Sequence, residues 1–430
     1  MKGQKLKVVW ICHFSSEEIK NKVVFDSLYY QTIISMLHFK RPSTPKDFGL
    51  WNVKGIKEFE KYESIHLTVI FPYRGIKGDI QRFRIRGVDY ICYRSEDDYL
   101  VPTLTNKICN TIYKFKTHNR QIVSNLIGAI NPDVVHVIGA ENPYYSLSAL
   151  DIPSKIPSIV SLQTLLSYPG FFENYHINKK EYDYKVQIEN DVIQKCDYIF
   201  CGSKQILEFL ISKGVESQKC YQLPIAVGVD VDRSENYKEY DFVYFAANIS
   251  KACDWAIEAF ALLLKKKSGL TLNVSGHYSE EYKTLIDKRI QELGISKNVI
   301  FTGAKETSKD VIRQIKKSRY ALLPLKVDMI SGTIREAMAC GLPVVTTYTP
   351  ATPELNKTRE SVLLSEKGDF ETMAQNMYKL VSDSKYAELI KENAYKTISE
   401  KYSNAKIMED WKVAYYDIVH RFNSKTTSIL

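Results

Sequence analysis

Short apolar runs alternate with longer helix-like segments along this chain, and the whole alternation occurs twice. The runs are rich in Val, Ile and Tyr, which is typical of buried parallel strands joined by βαβ connections. They span residues 7–13, 66–71, 89–93, 134–138, 158–162, 198–201 and 221–224 in the first half, and 241–246, 270–275, 299–302, 320–324, 343–347 and 361–364 in the second. The pattern predicts an α/β fold with two Rossmann-like, doubly wound parallel-sheet domains that face a central cleft.

A polar stretch between the two sets of strands, residues 228–239, predicts the domain boundary. We expect an N-terminal domain over residues 1–230, a C-terminal domain over 231–405 and a final helix over 406–430 that crosses back to the N-terminal domain. At 430 residues, the chain is long enough for two separate cores. The final helix carries one apolar stripe, formed by Ile407, Trp411, Tyr415 and Ile418.

Charge and composition restrict the expected partners and compartment. The formal net charge of +9 favours a phosphate-bearing ligand or an anionic membrane surface. The sequence has no zinc-finger spacing, no RNP-like aromatic strand and no long basic helix, so nucleic acid is not an expected partner. The eight cysteines include no C-x-x-C pair and lie in or beside apolar runs, which is typical of reduced thiols in the cytoplasm. No run approaches 18 apolar residues, so no membrane-spanning helix is expected.

The most informative segment, residues 328–345, reads DMISGTIREAMACGLPVV. Ser331 or Thr333 can cap the start of a helix there, and the Gly-Leu-Pro sequence ends it. The amides of Ser331, Gly332 and Thr333 would then point out of the helix N-terminus, where the helix dipole favours a diphosphate. The missing side chain of Gly332 allows a close approach. The segment therefore predicts a phosphate-binding helix start.

Two acids accompany this helix: Asp328 lies in the loop before it, and Glu336 lies inside its first turns. Each carboxylate can accept hydrogen bonds from a pair of sugar hydroxyls. Their spacing resembles the Glu, seven residues, Glu signature of glycosyltransferase family 4, the retaining, nucleotide-sugar-dependent enzymes with the GT-B fold. The resemblance implies that Asp328 contacts the donor sugar and that Glu336 contacts the nucleotide ribose. Aspartate replaces the first glutamate here, which changes the distance to the donor sugar.

The resemblance covers most of the second half and includes KACDWAIEAF at residues 251–260, which is similar to the Lys-Gly-x-Asp helix start of the family. It implies that Lys251 binds the donor phosphate and stabilises the leaving diphosphate. The arginine that accompanies this lysine in the family is absent, because Ala246, Ala247 and Asn248 occupy its neighbourhood. A weaker leaving-group stabilisation, a substitute cation and a reduced activity are all open, and Asn248 is a further candidate for donor binding.

The first half resembles the family less closely, as expected of a variable acceptor-binding domain. Residues 132–139 are similar to the fourth strand of the family, but Ile138 replaces the second histidine of its His-x-His. Gln163 likewise stands where a histidine often follows the next strand, so we assign no histidine base. In a retaining reaction, an oxygen of the donor phosphate can receive the acceptor proton. His13 and Glu141, near the ends of two strands, are candidates for lining the cleft.

Several of these residues also fit a structural role. Glu336 can complete a Thr333-x-x-Glu336 capping box. Lys251 can be a solvated lysine at a helix start, and His13 a hydrogen-bonded residue at a strand end. The donor-site interpretation is favoured because the acids, the amides and the matching context upstream occur together.

Two further motifs have simpler explanations. Asp230 and Asp232 imitate a metal-binding Asp-x-Asp sequence, but they lie in the linker, so no metal is expected. The basic segment 106–131 can rest on anionic lipid as an amphipathic helix, or it can be an ordinary surface helix. A peripheral contact with the membrane is therefore an open alternative.

The predicted function is that of a retaining glycosyltransferase of the hexosyltransferase type. The N-terminal domain would bind a glycan or lipid-linked acceptor, and the C-terminal domain the nucleotide sugar, without a cofactor or a metal. The expected role is bacterial surface polysaccharide synthesis in the cytoplasm or at the inner face of the membrane. The alternatives are a sugar-nucleotide epimerase or hydrolase with the same fold, and a catalytically weak homologue that serves as a binding subunit.

Overall fold

The structure of the protein, a computed structural model, describes residues 5–26, 48–96, 116–174, 177–227, 230–234, 236–248, 252–330 and 332–427. The chain divides into two compact units. The first unit consists of Met1–Gly202, Leu207–Ala226 and Ile407–Leu430, and the second of Ser203–Ile206 and Val227–Lys406. Over the described residues, an eight-stranded sheet forms in the first part of the chain and a six-stranded sheet in the second.

The first sheet is built around a central strand at the start of the chain. Its strands are β1 (Leu6–Ile11), β2 (Ile65–Pro72), β3 (Ile80–Ile85), β4 (Val88–Tyr93), β5 (Val134–Ile138), β6 (Ser158–Ser161), β7 (Tyr198–Cys201) and β8 (Cys220–Gln222). They lie in the order β3-β4-β2-β1-β5-β6-β7-β8, and every pair except β3–β4 is parallel. The inner strands read as continuous apolar runs because both of their faces are covered.

Strand β3 departs from the expected all-parallel arrangement. It forms a hairpin with β4 through Arg86 and Gly87, whose φ angles are 43° and 88°. Two positive φ angles give the turn whose twist matches that of a hairpin. The sequence pattern missed this strand because Ile80, Arg82 and Arg84 are exposed at its edge position, so no apolar run marks it.

The second sheet is parallel throughout. Its strands are β9 (Tyr240–Asn248), β10 (Leu272–His277), β11 (Val299–Phe301), β12 (Ser318–Leu323), β13 (Val344–Thr347) and β14 (Leu363–Ser365). They lie in the order β11-β10-β9-β12-β13-β14. The predicted class, an α/β protein with two doubly wound parallel sheets, is confirmed.

Helices connect the strands and cover the sheets. Those before β9 are α1 (Glu17–Lys20), α2 (Leu50–Phe59), α3 (Thr117–Ile130), α4 (Pro143–Ser146), α5 (Lys179–Lys195) and α6 (Lys204–Ser212). Those after β9 are α7 (Cys253–Lys266), α8 (Glu280–Glu292), α9 (Ser308–Ile315), α10 (Gly332–Ala339), α11 (Phe370–Ser382), α12 (Ser384–Thr397) and α13 (Asn404–Thr427). Among them, none has the length and apolar composition required to cross a membrane.

Two sequence predictions concern particular helices. Of the basic segment 106–131, residues 106–115 lie outside the described part, and α3 covers most of the rest with Val123 and Ile127 fully buried. The final helix α13 belongs to the first unit from Ile407 onward. All four residues of its predicted apolar stripe are at most 1% exposed, so this stripe is the face that α13 buries.

Candidate functional site

The second sheet reverses its strand order between β9 and β12. From β9 the chain adds β10 and β11 on one side, and then β12, β13 and β14 on the other. Open parallel sheets bind ligands outside the carboxyl ends of the strands at such a switch point. The segments that leave this point follow Asn248, the last residue of β9, and Leu323, the last residue of β12. Lys251 and the side chain of Asn248 lie outside the described structure.

Helix α10 begins at Gly332, shortly after the chain leaves β12. Gly332 and Thr333 are its first two residues, and the first amides of a helix point out of its N-terminus. Asp328 lies in the loop ahead of the helix and Glu336 in the second turn, and both side chains are half-buried. Ser331, the third predicted amide, is not among the described residues. The two predicted acids and the helix start are thus carried by one short segment at the switch point.

The position at which α10 begins tests whether Glu336 has only a structural role, in a capping box with Thr333. A capping box requires a Ser or Thr just outside the helix and an acid at the third helical position. Thr333 is the second residue inside the helix, and Glu336 is the fifth. A capping box between Thr333 and Glu336 is therefore not formed.

Glycine occurs near each end of α10, but the structure requires it at only one of the two positions. Gly341 has a φ angle of 73°, and a Cβ atom there would lie 2.0 Å from the Tyr395 hydroxyl oxygen, so glycine is required, as predicted for a helix C-terminus. A Cβ atom at Gly332 would meet only Val227 Cγ2 among the described atoms, at an ordinary 4.0 Å. The fold does not require glycine at Gly332. The missing side chain instead leaves room for a ligand to approach the backbone closely.

Lys326 is a basic residue of this region that no sequence motif indicates. It follows β12 and precedes Asp328 by two positions. Its Nζ atom lies 3.2 Å from Asp254 Oδ2 and 5.4 Å from the centre of the Trp255 ring, in the first turn of α7. Lys326 therefore connects the two segments that leave the switch point. Only its position after a strand would have indicated it.

Two reciprocal hydrogen bonds hold the segment that carries Lys326. The amide of Leu325 donates to the Thr347 hydroxyl oxygen at 2.8 Å, and the same hydroxyl donates to the Leu325 carbonyl at 2.6 Å. Thr347 is the last residue of β13, the neighbour of β12. The backbone next to Lys326 is thus fixed to the carboxyl edge of the sheet.

The first sheet reverses its order between β1 and β5, and the two predicted cleft residues, His13 and Glu141, follow these strands. The Nδ1 atom of His13 lies 2.8 Å from the Tyr144 hydroxyl oxygen, and its ring centre 4.2 Å from that of Phe48. Burial, together with the nearby Arg74 guanidinium, lowers the pKa of His13 to about 4. The ring is therefore neutral at pH 7 and a weak proton acceptor.

Glu141 lies in the segment between β5 and α4, and it is 5% exposed. Its Oε1 atom accepts a hydrogen bond from the Asn142 side chain at 2.9 Å. Burial raises the pKa of this carboxyl. The segment starts with Gly139, at φ 103°, where a Cβ atom would lie 2.3 Å from the Tyr145 hydroxyl oxygen. Glycine is therefore required at the start of the segment that carries Glu141, directly after β5.

The Asp-x-Asp sequence of the linker has an electrostatic partner in the structure. Asp232 Oδ2 lies 2.5 Å from the Nζ atom of the buried Lys316, which also lies 2.6 Å from the Ser234 hydroxyl oxygen. The Lys316 hydrogen bond lowers the pKa of Asp232 to about 2, assisted by Ser234. Within the described ranges, no group of three or more His, Cys, Asp or Glu residues is arranged to hold a metal ion.

A family model matches the part of the chain that holds this site, and individual known proteins are also similar to parts of the chain. Residues 230–397 match the family model for glycosyl transferases group 1. An N-acetyl-alpha-D-glucosaminyl L-malate synthase of Bacillus anthracis is 25% identical over 163 residues, 38% of this chain and 41% of the relative. The capsular polysaccharide biosynthesis glycosyltransferase CapM of Staphylococcus aureus is 27% identical over 159 residues, 37% of this chain and 41% of the relative. The matched segment thus spans about two fifths of these relatives.

A solved structure matches almost the whole chain. The sucrose-phosphate synthase from Thermosynechococcus elongatus superimposes with a TM-score of 0.66 at 11% identity, over 97% of this chain and 100% of the other. Similarity at this level of identity concerns the fold. Together with the two parallel sheets, it shows that the chain has the GT-B glycosyltransferase fold, as predicted.

Proposed function

We propose that this protein is a retaining glycosyltransferase that moves a sugar from a nucleotide-sugar donor to a glycan or lipid-linked sugar acceptor. The observation that carries the proposal is the start of α10, where a Cβ atom at Gly332 would meet only Val227 among the described atoms, on the segment that also bears Asp328 and Glu336. The match to the glycosyl transferases group 1 family over the same residues supports the transfer of an activated sugar.

The donor binds along this segment. Its diphosphate lies at the amides of Gly332 and Thr333, where the helix dipole favours negative charge. Glu336 accepts hydrogen bonds from the ribose hydroxyls, and Asp328 accepts them from the hydroxyls of the sugar. Ser331, Asn248 and Lys251 remain proposed donor contacts.

Lys326 is the proposed substitute for the arginine that the end of β9 lacks. Its ammonium is held near the switch point by Asp254, and its four-carbon stem allows it to turn toward a phosphate. There it stabilises the charge that develops on the leaving diphosphate.

The acceptor binds in the first unit, near His13 and Glu141 at the ends of β1 and β5. Since the neutral ring of His13 is a weak base, the proton of the acceptor hydroxyl passes to an oxygen of the leaving phosphate. The bond between the sugar C1 and the phosphate oxygen breaks, and a bond from C1 to the acceptor oxygen forms on the same face. We propose that no metal takes part.

We further propose that the reaction serves bacterial surface polysaccharide synthesis, in the cytoplasm or at the inner face of the membrane. The similarity to a capsular polysaccharide biosynthesis enzyme supports this role. The formal charge of +9 suits an anionic surface on which a lipid-linked acceptor would lie.

A catalytically weak binding subunit is the second candidate. Two observations favour it: Ala246, Ala247 and Asn248 supply no cation at the end of β9, and Asp328 is shorter than the glutamate of the family signature. Such a subunit would bind the nucleotide sugar without turning it over. Donor binding without product formation in acceptor-containing extracts would therefore distinguish it from the enzyme.

Thermal unfolding with UDP, GDP, dTDP, ADP, CMP and their sugars, in EDTA, tests donor binding. A ligand at about 100 times its dissociation constant stabilises a protein by roughly 2.7 kcal/mol. We expect one nucleotide to raise the unfolding temperature selectively. Gly332→Ala should lose most of this increase, while the ligand-free protein unfolds at the same or a higher temperature, because alanine favours a helix. No increase with any nucleotide, from a well-folded wild-type protein, would contradict the proposal.

A further inference from the structure

Helix α10 buries a charged residue one position before Glu336. Arg335 is 2% exposed and is among the largest fully buried side chains of the described residues. The other buried residues of this helix are apolar: Ile334, Ala337, Met338 and Ala339. Removing a guanidinium from water is costly, and an apolar side chain of similar length would avoid that cost. The stability of the helix therefore does not by itself account for an arginine here.

The guanidinium of Arg335 joins α10 to two other segments. Its Nη2 atom donates a hydrogen bond to the carbonyl of Ile330, in the loop that carries Asp328. Its central carbon lies 5.1 Å from the ring centre of Tyr402, which ends the π-helical segment Ile398–Tyr402. Tyr402 is 9% exposed, so water screens this cation–π contact little. Arg335 thus holds the loop to a buried part of the second unit.

Arg335 also keeps its charge in this environment. Burial lowers its pKa to about 10, while the ring of Tyr402 and the carboxylates of Asp328 and Glu336 oppose that shift. A group with this pKa is protonated at neutral pH. Both proposed donor-binding carboxylates therefore interact with the same buried cation.

We infer that Arg335 is a positioning residue, which fixes the Asp328 loop relative to Glu336 so that the two carboxylates fit one nucleotide-sugar donor. It acts through these residues, because its own side chain is buried and not exposed to a ligand. The inference rests on the proposed function of the α10 segment. A positioning role explains why a buried charge occurs at this position despite its cost.

The substitution Arg335→Met tests the inference, since methionine retains most of the apolar stem and removes the charge. We expect the ligand-free variant to unfold at the same or a higher temperature than the wild type. Its affinity for the nucleotide that the wild type binds, measured by calorimetric titration with UDP, GDP, dTDP, ADP and CMP, should fall about tenfold or more, because small misplacements of binding groups are enough for such losses. Arg335→Lys keeps the charge without the planar fork and should recover part of the affinity.

Two further variants separate positioning from a general structural role. Arg359→Met removes an arginine that contacts the same π-helical segment, through Glu400 at 2.8 Å, and it should leave nucleotide affinity unchanged. If Arg335 affects nucleotide affinity through Glu336, which contacts the ribose, the double variant Arg335→Met, Glu336→Gln should lose no more affinity than Glu336→Gln alone. Independent effects would multiply.

The outcomes distinguish this inference from the proposed function. Wild-type nucleotide affinity in Arg335→Met would overturn the inference alone. Equal losses in the Arg335 and Arg359 variants, or multiplied losses in the double variant, would also overturn it. If Arg335→Met does not fold, the variants Arg335→Lys and Tyr402→Leu test the inference in its place. Unchanged nucleotide affinity in both of these variants would reject it. A wild-type protein that binds none of the five nucleotides would overturn the proposed function and this inference together.

Discussion

The Tyr415 hydroxyl oxygen accepts a hydrogen bond from the indole N–H of Trp10 at 2.9 Å, although 405 positions separate these residues. The same hydroxyl lies 2.6 Å from His136 Nδ1, and His136 Nε2 lies 2.7 Å from the Ser161 hydroxyl oxygen. Since an indole N–H only donates, the Tyr415 proton is available to His136, whose own proton then lies on Nε2. Burial lowers the pKa of His136 well below its usual value, in agreement with a neutral ring. These hydrogen bonds connect α13 to β1, β5 and β6.

Tyr415→Phe should destabilise the protein, because it leaves the buried Trp10 and His136 nitrogens without this partner. Each such loss costs about 1–3 kcal/mol, so the two together should decrease the free energy of urea unfolding by about 2–6 kcal/mol. Tyr416→Phe is the matched control, since this neighbour is 43% exposed and its hydroxyl donates to the Ser64 carbonyl at 3.1 Å. Equal effects of the two substitutions would show that the buried network adds no net stability.

The sequence predicts the parallel strands and the stripe of α13 well, because each buries a recurring apolar pattern. Strand β5 has the predicted bounds, Val134–Ile138, since all five residues are buried. The residues that the stripe contacts cannot be predicted in the same way. Apolar periodicity shows that Tyr415 is buried, but it does not show that its hydroxyl meets Trp10, because that contact depends on the packing of distant segments.

The candidate site was predictable only in its local part. The acids and the helix start lie on one continuous segment, so their order along the chain already limits their geometry. Lys326 contacts Asp254 across 72 positions, and neither residue belongs to a pattern that indicates the other. Arg335 is more difficult still, because a charged helix residue ordinarily faces solvent. Its burial follows from contacts with Ile330 and Tyr402, which spacing does not reveal.

Lys326→Met should weaken donor binding if Lys326 neutralises the diphosphate. Removal of a charge-assisted contact to phosphate should lower nucleotide affinity about tenfold, and turnover more strongly, because negative charge increases on the leaving group. Lys288→Met on α8 is the control, since that ammonium is exposed and lies 4.0 Å from Glu292. Calorimetric titration and initial rates would measure both effects. An unchanged affinity and rate would leave Lys326 as a link between the β12 loop and α7.

Asp328→Glu should change the preference for the donor sugar more than the affinity for the nucleotide. The substitution adds one methylene, which moves the carboxylate toward the position that glutamate has in the family signature. We therefore expect the relative kcat/KM values of different sugar nucleotides to change, while the thermal shift given by the nucleoside diphosphate alone stays the same. A proportional loss with every sugar, or a lost shift with the diphosphate alone, would contradict a contact between Asp328 and the sugar.

Glu189 of α5 has a buried carboxyl group that accepts hydrogen bonds from the loop after β6. It is 0% exposed, and its oxygens accept hydrogen bonds from the amides of Leu166 at 2.6 Å and Ser167 at 2.9 Å. Burial raises the pKa of Glu189 to about 7, and the nearby Glu141 adds to the rise, against the lowering effect of the hydrogen bonds from the Ser167 side chain and from the amides of Ser167 and Leu166. The folded protein therefore binds this proton more tightly than the unfolded chain does.

This pKa predicts how stability depends on pH. Between the unfolded value of 4.5 and the folded value of about 7, the folded state retains a proton that the unfolded state releases, so the free energy of unfolding falls as pH rises. The contribution amounts to about 3 kcal/mol and levels off above pH 7, when both states are ionised. Glu189→Gln does not titrate, so its stability relative to the wild type should improve by up to that amount between pH 5 and pH 8 in urea unfolding. Substitution of the exposed Glu181 in the same helix should retain the wild-type pH dependence. A difference between Glu189→Gln and the wild type that stays constant across this range would show that Glu189 ionises at its ordinary pKa.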